Sequence, residues 1–167
     1  DCALGKYSFA AHSPICDDCA IGHAANVTGL AKCFACAAGR FAAGEGNERC
    51  TDCEPGQFGH EAAQGDCVEC AAGHASAVRG LAAAGCPECE RGTFAAKMGQ
   101  VDCVMCVAGT FTSSKGAHHC TMCAEGRSTN GQAGHPLANC EMCKPGQFAA
   151  ANGTATCQPC ARGMVAH

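Results

Sequence analysis

Nine Cys-x2-Cys pairs recur along the 167 residues at a nearly fixed interval: Cys16/Cys19, Cys33/Cys36, Cys50/Cys53, Cys67/Cys70, Cys86/Cys89, Cys103/Cys106, Cys120/Cys123, Cys140/Cys143 and Cys157/Cys160. The steps from pair to pair are 17, 17, 17, 19, 17, 17, 20 and 17 residues. Cys2 stands 17 residues before Cys19, the place of the second cysteine of a pair that would open before Asp1. Both ends of the chain fall inside a repeat, so it reads as a fragment of a longer protein. Self-similarity at a fixed period signals repeat architecture. Nineteen cysteines in 167 residues exceed the tenth that marks a disulfide or metal scaffold. The units run 2–18, 19–35, 36–52, 53–69, 70–88, 89–105, 106–122, 123–142 and 143–159, with a partial unit at 160–167.

Within each unit a glycine follows the second cysteine by three residues without exception: Gly5, Gly22, Gly39, Gly56, Gly73, Gly92, Gly109, Gly126, Gly146 and Gly163. A position that admits glycine alone requires positive φ or close backbone approach. Two residues on, an aromatic recurs at Tyr7, Phe41, Phe58, Phe94, Phe111 and Phe148. A second glycine lies seven residues after the first at Gly29, Gly46, Gly80, Gly99, Gly116 and Gly153. The unit C-x2-G-x-F-x4-G-x3-C-x2-C has the short apolar positions and glycine punctuation of a tight hairpin and lacks a helical period. Large apolar side chains are too few for one sizeable core. The expected fold is therefore a small, disulfide-rich β array of short hairpin repeats, forming an elongated rod with no central core.

Every third unit differs. Those opening at Cys19, Cys70 and Cys123 carry Ala24, Ala75 and Ser128 where the others carry an aromatic. Either the array presents a distinct face with a three-unit period, against which a neighbouring chain packs closely at these residues, or the pattern records duplication alone.

The segments Cys53-Glu54-Pro55-Gly56-Gln57-Phe58 to Cys67-Val68-Glu69-Cys70, and Cys143-Lys144-Pro145-Gly146-Gln147-Phe148 to Cys157-Gln158-Pro159-Cys160, resemble the ephrin-receptor-like cysteine-rich repeat. These repeats are similar in turn to the first half of tumour-necrosis-factor-receptor cysteine-rich modules. The resemblance implies end-to-end β-hairpin modules of receptor ectodomains and surface proteins, with no catalytic residues. It also implies a pairing: Cys2–Cys16, Cys19–Cys33, Cys36–Cys50, Cys53–Cys67, Cys70–Cys86, Cys89–Cys103, Cys106–Cys120, Cys123–Cys140 and Cys143–Cys157, with Cys160 unpaired. Spacing alone does not fix connectivity. Cys-x2-Cys pairs also recur in tetrathiolate zinc sites, which usually separate them by 15–20 residues. Here the gap is mostly 13, and nine pairs leave a remainder when grouped by twos.

The net charge of −4 and the lack of a basic patch give no footprint for nucleic acid. No apolar stretch approaches the roughly 20 residues of a membrane helix. Asn26-Val27-Thr28 and Asn152-Gly153-Thr154 match the N-glycosylation acceptor, so Asn26 and Asn152 are expected to carry N-linked glycans. The eight histidines, His118-His119 among them, read as solvated residues. Met105, Met122 and Met142 precede the second cysteine of a pair where other units have Asp18, Asp52, Glu69 and Glu88. That change marks either a stretch buried against a neighbour or drift.

The expected function is structural and non-enzymatic. The chain is read as a stiff spacer or a building block of an extracellular filament or matrix, secreted or on the cell surface. It needs no metal or cofactor, and its partners are other chains of the assembly, itself included. The alternatives are a ligand-binding receptor or adhesin ectodomain, and a zinc-binding array.

Overall fold

A computed structural model describes residues 1–10, 14–134 and 139–161. Gly163 lies outside the described residues. Among those residues there is no helix, and every strand is two residues long. The strands pair antiparallel in chain order. In the first four units β1 (Lys6–Tyr7) pairs with β2 (Asp17–Asp18), β3 (His23–Ala24) with β4 (Phe34–Ala35), β5 (Arg40–Phe41) with β6 (Thr51–Asp52), and β7 (Gln57–Phe58) with β8 (Val68–Glu69). The fifth unit closes through a single bridge, His74 to Glu88. After it come β9 (Thr93–Phe94) with β10 (Val104–Met105), β11 (Thr110–Phe111) with β12 (Thr121–Met122), β13 (Arg127–Ser128) with β14 (Glu141–Met142), and β15 (Gln147–Phe148) with β16 (Gln158–Pro159).

The residues around the first glycine explain why each hairpin begins where it does. In Glu54-Pro55-Gly56-Gln57 the Gln57 amide donates to the Glu54 carbonyl at 3.0 Å, and Gly56 has φ of 83°. A left-handed residue at the third position is the requirement of a type II turn, and proline at the second is common there. The same bond recurs in all nine units, from Lys6 to Ala3 at 3.2 Å through Gln147 to Lys144 at 2.9 Å. The turn aims the first strand. Twelve residues later the second strand returns, and the amide of the next unit's first core cysteine donates to the glycine carbonyl, as Cys19 does to Gly5 at 2.9 Å.

Nine disulfides close these hairpins, each joining the second cysteine of one pair to the first cysteine of the next, from Cys2–Cys16 to Cys143–Cys157. The loops span 14 residues, except for 16 at Cys70–Cys86 and 17 at Cys123–Cys140. Two-stranded hairpins are marginal in water by themselves. A crosslink over a ~15-residue loop contributes about 3 kcal/mol on the chain-entropy model, which is why so little strand suffices.

The chain divides into two compact units. One comprises 1–70 with 76–86, the other 71–75 with 87–167. In both, what is buried is sulfur and small side chains: Cys19, Cys36, Cys53, Cys89, Cys106 and Cys123 are fully covered, together with Ala24, Ala25, Ala95, Ser128 and Thr129. The aromatics do not form the core. Phe41, Phe58, Phe94 and Phe111 are half-buried and Phe148 is exposed. Ala75, Cys89 and Ala95 form one small core cluster, with Cys103 packed against them.

Candidate functional site

The surfaces that repeat most faithfully are the junctions between consecutive hairpins, and they are built from backbone. Between the second and third hairpins the Gly22 amide donates to the Ala42 carbonyl at 3.0 Å and the Ala25 amide to the Asn47 carbonyl at 3.0 Å. In return the Gly46 amide donates to the Cys19 carbonyl at 2.8 Å. Four units on, the same three bonds join Gly92 to Thr112, Ala95 to Ala117 and Gly116 to Cys89, at 3.1, 3.0 and 2.9 Å. Where the long unit 123–142 enters, a side chain substitutes for a carbonyl: the Gly109 amide donates to Thr129 Oγ1 at 2.8 Å.

A second contact skips a repeat. Where a Cβ on Gly5 would stand, the carbonyl oxygen of Gly46, two hairpins further on, lies 2.1 Å away. Gly39 meets Gly80 in this way at 2.2 Å, Gly73 meets Gly116 at 2.1 Å and Gly109 meets Gly153 at 2.0 Å. No side chain fits into such a gap, so these glycines serve close approach as well as the turn. Their φ values fall in the left-handed region, as do those of Gly22, Gly56, Gly92, Gly126 and Gly146. The second-turn position is also left-handed, with φ of 72° at Gly46 and 68° at Gly80. In the fourth unit Ala63 holds this place with φ of 61°.

One residue of the repeat is not apparent from its cysteines and glycines. The sixth position after the second cysteine is small in all nine hairpins: Ser8, Ala25, Ala42, Gly59, Ser76, Ala95, Thr112, Thr129 and Ala149. From Ala25 onward it is buried in every unit. Its carbonyl or hydroxyl accepts the glycine bond of the preceding hairpin, so a larger side chain would separate the two units. The signal was present in the residue sizes, but an alanine-rich chain obscures it.

Ala24, Ala75 and Ser128 do not form an outer face. Their exposures are 0%, 5% and 0%, and their own chain covers them. Ala24 lies across the hairpin from Phe34, Ala75 packs with Cys89 and Cys103, and the Ser128 hydroxyl lies 3.2 Å from Cys157 Sγ of the next disulfide. The expectation that a neighbouring chain approaches at these three residues is corrected: each fills an interior gap too small for a ring.

The exchange of acid for methionine follows hairpin register. Lys6 faces Asp18 and Arg40 faces Asp52 across their strand pairs, with ion pairs at 2.7 and 2.6 Å. In β9–β10 and β11–β12 the same positions hold Thr93 opposite Met105 and Thr110 opposite Met122. Directly opposed residues are the interacting unit of a sheet; in these two hairpins both members differ from the ion pair, whereas in β13–β14 Met142 stands opposite Arg127. Met105, Met122 and Met142 are 63%, 64% and 72% exposed, so their own chain does not bury them.

The sequon residues Asn26 and Asn152 are both exposed. Asn152 Oδ1 accepts a bond from the Glu125 amide at 3.1 Å. Cys160 is half-buried with a free thiol. In the eight Cys-x2-Cys pairs from Cys16/Cys19 to Cys140/Cys143 the two cysteines enter different disulfides, which leaves those pairs no thiolates to offer zinc. Among the described residues, no group of three or more His, Cys, Asp or Glu side chains is arranged to hold a metal, and no helix is long and apolar enough to cross a membrane.

A family model described as tyrosine-protein kinase ephrin type A/B receptor-like matches residues 39–82, 77–123 and 95–135. No curated protein matches the chain.

Proposed function

We propose, since the chain belongs to the ephrin type A/B receptor-like family, that it is a structural segment of a secreted or surface-anchored protein, acting as a stiff spacer or as a building block of an extracellular assembly. The observation that carries this reading is the junction. The same backbone atoms join consecutive hairpins, and at Gly5, Gly22, Gly39, Gly73 and Gly109 a close contact reaches a hairpin further, so each of those units is braced by two others. Bending at one junction would strain the contact that spans it.

Nine disulfides support an oxidising compartment, because such bonds persist outside the reducing cytosol. Glycans on the exposed Asn26 and Asn152 accord with that location. The partners are other chains of the assembly. Large exposed apolar residues along the chain support this, among them Phe9, Ile21, Val78, Val107, Met122 and Met142.

Small-angle scattering tests the spacer reading. A compact domain of this length has a radius of gyration of about 15 Å. A spacer is expected to exceed that about twofold, and a value near 15 Å would overturn it.

A further inference from the structure

His118 and His119 are neighbours in sequence, and in an extended segment neighbouring side chains point to opposite faces. Here their rings meet. The centroids lie 4.5 Å apart at an interplanar angle of 65°. Both rings line a cavity of about 350 Å³ in the loop of the seventh hairpin. Among the described histidines, His23 and His74 contact backbone carbonyls and His60 faces Glu61. No hydrogen bond or ion pair engages His118 or His119 within the described residues.

The remainder of the cavity wall offers neutral oxygen. Ser113, Ser114, Thr121 and Asn139 line it, and among the described residues no lysine, arginine or carboxylate does. Lys115, in the same loop, is drawn away to Glu90 at 2.7 Å. The cavity therefore combines two exposed imidazoles with hydroxyl and amide oxygens and no competing fixed cation.

The ring separation is that of an edge-to-face contact, and it is also one that a shared metal ion allows. An imidazole nitrogen sits about 2.0–2.1 Å from a bound zinc ion, which places the ring centre about 3.2 Å from the metal. Two such rings at metal angles between right and tetrahedral have centres about 4.5–5.2 Å apart. The observed pair falls at the short end of that range. Imidazole suits zinc, copper and nickel, whereas hard ions such as calcium select carboxylate and carbonyl cages.

From this geometry we propose that His118 and His119 form a surface site for one divalent transition-metal ion, completed by water and by the cavity's neutral oxygens. The site is independent of the disulfide scaffold, because both rings are exposed and brace no junction. It would give this repeat a metal-dependent contact that the other hairpins lack.

Isothermal titration at pH 7.5 with zinc chloride, nickel chloride and calcium chloride tests it. The full chain carries Cys160→Ser, so that the free thiol does not compete. One zinc or nickel ion per chain is expected, with no calcium binding. His118→Ala and His119→Ala should each weaken zinc binding at least tenfold, and the double variant should abolish it, while His23→Ala leaves it unchanged. Thiol counting and the amide NMR spectrum verify that each variant is folded. Zinc should also shift the imidazole proton resonances of His118 and His119 ahead of those of other histidines. Undiminished zinc binding by the folded double variant, equal binding of calcium, or no saturation at millimolar zinc would overturn the proposal.

Discussion

The carbonyl oxygen of Ala63 lies 1.9 Å from the point a Cβ on Gly22 would occupy, and Ala63 holds φ of 61° to put it there. An alanine thus sits in a glycine's conformation in order to seat against a glycine two hairpins back. A left-handed L-residue costs roughly 1–2 kcal/mol, and replacing alanine with glycine loses about 0.4–1 kcal/mol through the unfolded chain. Ala63→Gly is therefore expected to stabilise the protein by about 0.5–1 kcal/mol, read from the urea midpoint with disulfides intact. A lower midpoint would show that the Ala63 methyl contributes more than its backbone strain removes.

The reverse change at the partner should be severe. Gly22→Ala adds left-handed strain and drives a methyl into the Ala63 backbone, so a loss above about 3 kcal/mol is expected, at the high end for single substitutions. Hydrogen exchange at the Gly46 and Ala63 amides, which bond across the neighbouring junctions, should accelerate together. Unchanged protection at both would mean that the close contact braces nothing.

The disulfide order gives a chemical count. One free thiol per denatured chain is expected, and peptide mapping without reduction should recover pairs closing 14, 16 or 17 residues. A peptide linking Cys16 to Cys33 would contradict the hairpin scheme. Removing one bond as Cys106→Ser with Cys120→Ser should cost about 3 kcal/mol, within the range for native disulfides of small domains.

Ion pairs on the hairpin face contribute little. Arg40 and Asp52 are 53% and 37% exposed, and double-mutant cycles on such pairs give roughly 0.2–1 kcal/mol. A cycle with Arg40→Gln and Asp52→Asn should return under about 1 kcal/mol and vanish in 1 M salt, where the screening length is ~3 Å. A salt-independent coupling of several kcal/mol would refute this.

Ala24 separates a filled gap from a degenerate copy. Ala24→Phe restores the aromatic of the repeat at a position with no exposure, so overpacking should cost about 1–3 kcal/mol. Phe41→Ala, at a half-buried site, should cost less than a fully buried phenylalanine would, below about 3 kcal/mol. Equal tolerance of Ala24→Phe and an unchanged midpoint would show that the site has room for a ring.

Much of this fold is legible from cysteine and glycine spacing. Turn glycines such as Gly5 and Gly56 announce themselves because no other residue takes their place, and the hairpins follow from them. The pairing Cys2–Cys16 and its successors came from the family resemblance, since nine nearly evenly spaced pairs are compatible with more than one connectivity. Ala63 escaped notice because its glycine-like conformation is carried by a residue of another type. Buried Ala42 and Ser76 look like filler in an alanine-rich chain, and only packing reveals their constraint. Gly22 and Ala63 are 41 positions apart, and a period of one repeat leaves no trace of a contact that spans two. The convergence of His118 and His119 is likewise a matter of loop geometry, which the bare dipeptide does not contain.

The contact across two hairpins also sets a timetable for synthesis. Cys16 is made 14 residues after Cys2, yet Gly5 is not seated until Gly46 arrives 30 residues after that. At ~5–20 residues per second, that lag is about 1.5–6 s. During that interval a crosslinked but unseated unit shows its glycine edge to whatever is near. The growing chain therefore always carries about two unfinished hairpins at its leading end. The order in which sulfurs become available favours neighbours over distant partners, so the act of translation itself selects sequential closure.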